Sequence, residues 1–137
     1  MIILVYSSGL YSLGFALFHL FFPKIFNWNT DLEKLTQVNK AIVKILNLKL
    51  VYIFVSIAVL CFIFPVELIG TKLGKVIMLG MAGFWLGRAI EQIVFFKVDA
   101  KISVRFTVLF IMGMLLFASP VVCKFLFPRP CKIVKPL

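Results

Sequence analysis

Four long apolar runs constrain this chain more than any other feature of its sequence. They cover about residues 2–22, 46–65, 76–96 and 104–123. Each run is close to the length of about 20 residues that a helix needs to cross the hydrocarbon layer. Backbone N–H and C=O groups in lipid must bond within the protein, and the short connections leave no room for a closed barrel. The sequence therefore predicts four transmembrane helices.

The composition agrees with a membrane protein. Hydrophobic residues make up 63% of the 137 residues, whereas soluble domains contain about 45–50%. A soluble fold of this length has too little interior for so many apolar side chains, so the surplus must face lipid. The net charge of +10 lies mostly between the apolar runs and in the tail 124–137, where basic side chains meet anionic head groups. We therefore expect the lipid bilayer, and not nucleic acid, as their partner.

The connection between the first two runs predicts an amphipathic helix at the membrane interface. Asn29 or Thr30 can cap this helix at its start. Apolar residues then recur at helical spacing, at Leu32, Leu35, Val38, Ile42 and Ile45. The predicted helix covers about residues 30–44 and is anchored at the interface by Trp28. The alternative is that the second span begins early, near Asn39, and that its lysines reach back to the interface.

The two remaining connections are short, which favours antiparallel neighbouring helices. The expected fold class is therefore all-α, an antiparallel bundle of four transmembrane helices that forms a single membrane domain over residues 1–137. The first and third connections carry eight basic residues, and the second connection and the tail carry six. The uncharged first run followed by Lys24 favours both termini outside the cytoplasm. That run has no basic residues before it, and we expect it to be a retained span and not a signal peptide.

Polar side chains inside the third run are the first candidates for a site, because such groups are costly in lipid. Arg88 can meet Glu91 or Gln92 on one face of a helix, at spacings of three and four residues. One interpretation is a proton or ligand site in the interior of the bundle. The other is an internally paired group that orients the helix.

Three glycines precede these polar residues in the third run: Gly80, Gly83 and Gly87. The spacing of Gly83 and Gly87 is the small-xxx-small pattern that lets two membrane helices approach closely. The pattern indicates packing against the first span or against another subunit.

The first run carries a polar stripe formed by Ser8, Ser12 and His19. The serines can bond back to carbonyls of their own helix. His19 can bond to a neighbouring side chain, titrate, or ligate a metal or haem. A single histidine with no second strong ligand favours the bonding role, and we expect neither a metal nor a cofactor.

The three cysteines give little information about chemistry. Cys61 lies in an apolar run and is expected to be a small packing residue. Cys123 and Cys131 flank a Pro-rich stretch, and they form a disulfide if that stretch faces an oxidising compartment or remain two reduced thiols. No G-x-S-x-G, H-E-x-x-H, P-loop or dinucleotide fingerprint occurs in the sequence, so we expect no catalytic site.

Three segments of the sequence contain motifs that, in this order and at this spacing, are typical of another group of proteins. They are G-L-Y-S-L-G-F-A-L-F-H-L at 9–20, F-N-W-x-x-x-L-x-x-L-x-x-x-N-K at 26–40 and F-W-L-G-R-A-I-E-Q at 84–92. Together they resemble a group of small bacterial four-helix membrane proteins that is loosely similar to DoxX-like proteins. The matching positions are His19, Trp28, Asn39, Trp85, Arg88 and Gln92. Glu91 departs from the pattern, so the resemblance favours Gln92 as the partner of Arg88. It also implies the bacterial inner membrane as the location.

Three functions remain open at this point. The first is a non-catalytic subunit or accessory factor of a larger membrane assembly, which contacts other membrane subunits or further copies of itself. The second is a small oligomeric transporter or channel that uses the intramembrane residues His19, Arg88, Glu91 and Gln92. The third is a redox anchor that binds haem or quinone at His19.

Overall fold

The computed structural model describes residues 1–95 and 100–127, and these residues form six α-helices and one 3-10 turn with no strand. The helices are α1 (Ile2–Ile25), α2 (Trp28–Asp31), α3 (Gln37–Ile63), α4 (Pro65–Gly70), α5 (Lys72–Phe95) and α6 (Ala100–Leu126). The predicted all-α class is confirmed. Cys131 lies outside the described residues, and with it lies the choice between a Cys123–Cys131 disulfide and two reduced thiols.

Four helices of the described chain are long and apolar enough to cross a membrane: α1, α3, α5 and the part of α6 that covers Ser103–Leu126. In each of them, at most 33% of the most apolar stretch is buried inside the structure. Most of each helix surface therefore faces outward with apolar side chains, which is the arrangement that lipid requires. The four predicted spans are confirmed.

The segment between α1 and α3 is helical, as predicted, but it is not one helix over residues 30–44. α2 is followed by a 3-10 turn over Leu32–Lys34, and the backbone is extended at Leu35. A new helix, α3, then begins at Gln37 and continues to Ile63. Lys40 and Lys44 therefore lie on an early extension of the second span, whereas Lys34 lies in the 3-10 turn before it. Thr36 explains the start, because its Oγ1 accepts a hydrogen bond from the N–H of Asn39 at 3.4 Å, as an N-cap residue does.

The turn that ends α1 depends on Asn27, which has φ 43° and ψ 48°. This left-handed conformation is disfavoured for most residues, and asparagine is one of the few that adopt it at low cost. The carbonyl of Asn27 then accepts hydrogen bonds from the N–H groups of Thr30 and Asp31 at 3.0 and 3.1 Å. The reversal of the backbone at Asn27 therefore also starts α2.

The second connection contains the short helix α4, and it packs closely on the start of α5. Thr71 caps α5, because its Oγ1 accepts a hydrogen bond from the N–H of Gly74 at 2.9 Å and donates one to the carbonyl of Glu67 at 2.9 Å. A Cβ at Gly74 would collide with the backbone of Glu67 and Leu68. Glycine is therefore required at this position by the close approach of two helices.

Contacts divide the described chain into two compact units. Unit 1 contains Met1–Ser8 and the described residues from Cys61 onward, and unit 2 contains Gly9–Leu60. In unit 1, α5 packs on α6, with the rings of Trp85 and Phe110 stacked at 5.9 Å between centroids. Cys61 is buried at 1% exposure, as expected for a packing residue. Unit 2 is rich in aromatic contacts around Phe15, Phe18, Phe22 and Phe54.

Unit 1 contains a proline inside a spanning helix, Pro120 in α6. A proline has no N–H, so the carbonyl four residues earlier, that of Leu116, loses its helical donor. The hydroxyl of Ser8 in α1 lies 3.0 Å from this carbonyl, and that of Ser119 lies 3.1 Å from it. Both donate to the carbonyl that Pro120 leaves without its backbone bond, which is how membrane helices tolerate proline. The single hydroxyl proton of Ser8 is shared between this carbonyl and the carbonyl of Leu4, which lies 2.9 Å from Oγ.

We expect Ser8→Ala to lower the free energy of unfolding by about 1 kcal/mol, the size of one internal hydrogen bond. The loss should shrink in a Pro120→Ala background, because an alanine at that position supplies the missing N–H. Unfolding in mixed micelles, followed by circular dichroism, measures both values. Ser12→Ala is the matched control, because Ser12 is equally buried and its Oγ has no hydrogen bond within the described part of the chain. Equal losses in both backgrounds would contradict the proposed pairing.

Candidate functional site

One side of α5 is packed in unit 1 and the opposite side is open. The packed side contains Met78, Met81, Ala82, Trp85, Ala89 and Gln92. At 100° per residue, the three predicted glycines, Gly80, Gly83 and Gly87, lie on the other side of the helix. A Cβ added at any of these glycines would meet no heavy atom of the described chain within 4 Å. No helix of the described chain therefore packs closely on these three glycines.

Glu91 continues this glycine stripe by one further helical turn, and we name the surface formed by Gly80, Gly83, Gly87 and Glu91 the glycine face. Arg88 lies beside it, and its Nη1 donates a hydrogen bond to Glu91 Oε2 at 2.7 Å. The guanidinium also lies over the Phe110 ring, 4.9 Å from the centroid, which is a cation–π contact.

The partner of Arg88 in the structure is Glu91, and not Gln92 as the resemblance suggests. Among the described residues, Arg88 contacts Glu91 through a charged hydrogen bond, which is stronger than one to a neutral amide. Gln92 is only 3% exposed and belongs to the packed side of α5. Glu91, the residue at which this chain departs from the pattern of the DoxX-like group, is therefore the one that pairs with Arg88.

The Arg88–Glu91 pair is exposed although it lies within a spanning helix. The side chains are 30% and 52% exposed. At a rise of about 1.5 Å per residue, Arg88 is about 10 Å before the end of α5 at Phe95. The pair therefore lies within the candidate span Lys72–Phe95, and both of its side chains are partly exposed.

His19 in unit 2 is held by Asn47, a residue that we did not select from the sequence. The amide Nδ2 of Asn47 donates to the carbonyl of His19 at 3.0 Å, and His19 Nδ1 lies 2.8 Å from Asn47 Oδ1. Because Oδ1 can only accept, Nδ1 is the nitrogen that carries the proton in this contact. The two bonds join α1 to α3 inside unit 2.

Pro23 explains why the carbonyl of His19 needs this donor. Pro23 lies inside α1, four residues after His19, and it cannot supply the N–H that the His19 carbonyl would otherwise receive. Asn47 replaces that donor from α3, as Ser8 does for Leu116 in unit 1. Each of these two helix prolines therefore has its freed carbonyl bonded by a polar side chain of another helix.

Aromatic rings surround the histidine. The His19 ring stacks on Phe22 with centroids 4.1 Å apart, and it contacts Phe54 at 5.5 Å. Trp28 meets the other side of Phe22 at 6.4 Å and is half-buried. In the described part of the chain, no three His, Cys, Asp or Glu side chains gather into a group that could hold a metal ion. The two bonds to Asn47 and the stacked Phe22 ring give His19 the role of an interior bonding partner between α1 and α3.

The predicted polar residues belong to two separate groups. His19 lies in unit 2, whereas Arg88, Glu91 and Gln92 lie in unit 1. The signal for Asn47 was present in the sequence, because it is an amide near the start of an apolar run and Pro23 follows the only histidine by one helical turn.

The fold and these two groups define a multi-pass membrane protein with four spanning helices. No family model matches the chain, and neither the curated proteins nor the solved structures contain a match. The resemblance to DoxX-like proteins thus stays a prediction from three sequence segments.

Proposed function

We propose that this chain is a non-catalytic subunit or accessory factor of a larger assembly in the bacterial inner membrane, and that a helix of another subunit packs on the glycine face. The observation that carries the proposal is the position of the exposed Arg88–Glu91 pair beside an open row of glycines within a spanning helix.

The glycines support a protein partner because of the forces that join helices in lipid. Lipid tails are as apolar as leucine, so helix association depends on close van der Waals packing and on hydrogen bonds between helices. Small residues allow the backbones to approach, and the open space at Gly80, Gly83 and Gly87 is sufficient for such an approach. A lipid chain gains much less from a row of glycines than a complementary helix does.

The ion pair supports the same partner for an electrostatic reason. A charged side chain near the middle of a membrane helix costs about 2.5–3.5 kcal/mol on insertion scales. The pairing of Arg88 with Glu91 offsets part of this cost, but the Glu91 side chain is still 52% exposed. A partner helix with small residues and a hydrogen-bond donor opposite Glu91 would offset more of it. We therefore expect a partner of this kind.

Gly83→Leu tests the proposal, because a leucine there would occupy the space needed by the partner helix. Overpacking costs about 1–3 kcal/mol, so we expect the yield of co-purified partner in mild detergent to fall at least about fivefold. Gly14→Leu is the matched control, since Gly14 is also exposed in a spanning helix and has nothing within 4 Å of a Cβ among the described residues.

A photo-crosslinking residue at Leu86, which is 45% exposed beside the glycine face, should capture the same partner in intact membranes. The equivalent residue at Leu10, 65% exposed in α1, should not. A partner that is retained by Gly83→Leu, or purification of the chain alone from its native membrane, would overturn the proposal. Crosslinks between identical chains only would identify the partner as a second copy.

A further inference from the structure

Unit 2 contains a cavity of about 650 Å³ that is formed between the end of α1, the turn with α2, and the first half of α3. Its lining changes character along α3. Lys40 and Lys44 come first, Asn47 follows, and Leu48 and Val51 are last. At 100° per residue these five side chains lie on one face of α3.

This order produces a polarity gradient of defined length. From Lys40 to Val51 the helix rises about 16 Å, from two ammonium groups through an amide to aliphatic side chains. Leu20 of α1 adds to the apolar end, and Trp28 lines the cavity as well. Tryptophan is typical of the head-group level of a membrane. An inorganic anion would fill only the basic end of such a cavity, whereas an amphiphile would fill all of it.

The charges at the basic end are available to a ligand. Among the side chains that the structure describes, neither lysine ammonium forms an ion pair. Glu33 also lines the cavity, so two positive charges face one negative charge and the balance favours a monoanion. Two lysines separated by four residues place their ammonium groups on the same side of a helix, where both reach one phosphate.

We propose that this cavity is a binding site for one anionic phospholipid, with its phosphate on Lys40 and Lys44 and an acyl chain along Leu48 and Val51. The site shares no residue with the glycine face, because all of its lining residues belong to unit 2. The chain would therefore select an anionic lipid at one defined position, in addition to the general attraction of its basic residues to the membrane surface.

Quenching of Trp28 by brominated lipids tests the site in the full-length chain with Trp85→Phe, so that Trp28 is the one remaining tryptophan. We expect brominated phosphatidylglycerol in phosphatidylcholine vesicles to quench Trp28 at a mole fraction at least tenfold below that of brominated phosphatidylcholine. Lys40→Gln with Lys44→Gln should abolish this preference, since each lysine near an anionic lipid contributes about a fivefold factor. Lys24→Gln with Lys49→Gln is the control, because it removes the same charge from unit 2 outside the cavity.

Further arms separate the possible ligands. Val51→Trp should fill the apolar end and weaken the phosphatidylglycerol preference while both lysines remain. Millimolar inorganic phosphate should not displace the brominated lipid, and if it does, the site binds a free phosphate and the lipid proposal is wrong. An equal loss in the two double-lysine variants would show general surface attraction and overturn the proposal. Gly83→Leu should leave this readout unchanged, because Gly83 does not line the cavity, so the outcome can be told apart from that of the partner experiment.

Discussion

We expect Asn47→Ala to lower the free energy of unfolding by about 2 kcal/mol. The substitution removes two hydrogen bonds between α1 and α3, one to the His19 carbonyl and one from the His19 ring. It leaves a carbonyl without its helical donor because Pro23 cannot supply one, and an unsatisfied group in a low-dielectric environment costs about 1–3 kcal/mol. Unfolding of the purified protein in mixed micelles, followed by circular dichroism, gives the value.

A double-mutant cycle with Pro23→Ala separates the two bonds. An alanine at that position restores the N–H that the His19 carbonyl lacks, so roughly half of the Asn47→Ala penalty should disappear in that background. The remaining half reports the bond of the His19 ring. Asn39→Ala is the matched control, because Asn39 is an exposed amide in the same helix and its loss should change stability by less than about 0.5 kcal/mol. An unchanged penalty in the Pro23→Ala background would refute the role assigned to the carbonyl.

Gly74→Ala should have the larger effect, with a loss of about 3 kcal/mol. The new Cβ would collide with backbone atoms of Glu67 and Leu68, which cannot move aside as a flexible side chain would. α4 and the start of α5 would have to separate, and this would also disturb the Thr71 cap. Thermal unfolding in detergent, compared with the parent chain at equal protein concentration, measures the loss.

A glycine-to-alanine substitution should raise the free energy of unfolding where the new methyl group meets open space. Gly14→Ala places its methyl group in α1 with nothing within 4 Å among the described residues, and alanine is favoured over glycine in a helix by about 0.5–1 kcal/mol. The pair of variants therefore isolates the close helix approach from the general effect of removing a glycine. Equal stability of the two variants would show that α4 does not press on Gly74.

The spans could be predicted from the sequence because lipid imposes a simple length rule. The apolar run that ends near Phe22 and the uncharged stretch around Phe117 both correspond to spanning helices. The start of the second span does not follow from that rule, because leucines and lysines at helical spacing are typical both of an interfacial helix and of an early extension. The cap at Thr36 decides between them, and a single threonine is a weak signal in a sequence.

The candidate polar groups were only partly predictable. Arg88 and Glu91 follow the three-residue spacing of a helix pair, and their bond could be expected from that spacing alone. The Asn47 bond joins residues 28 positions apart, and its existence depends on how α1 packs against α3. Local periodicity contains no information about that packing. The missing N–H of a proline is visible in any sequence, whereas the side chain that replaces it is known only from the fold.

The two proline-freed carbonyls meet their donors at different moments of synthesis. Asn47 is made 28 residues after His19, so at about 5–20 residues per second the carbonyl in α1 waits roughly one to six seconds for its partner. Ser8 is made 108 residues before Leu116 and is already present when that carbonyl leaves the ribosome. The first helix therefore enters the bilayer while the His19 carbonyl still lacks a hydrogen-bond donor. Until Asn47 arrives, an insertion factor or a water molecule would have to donate to that carbonyl.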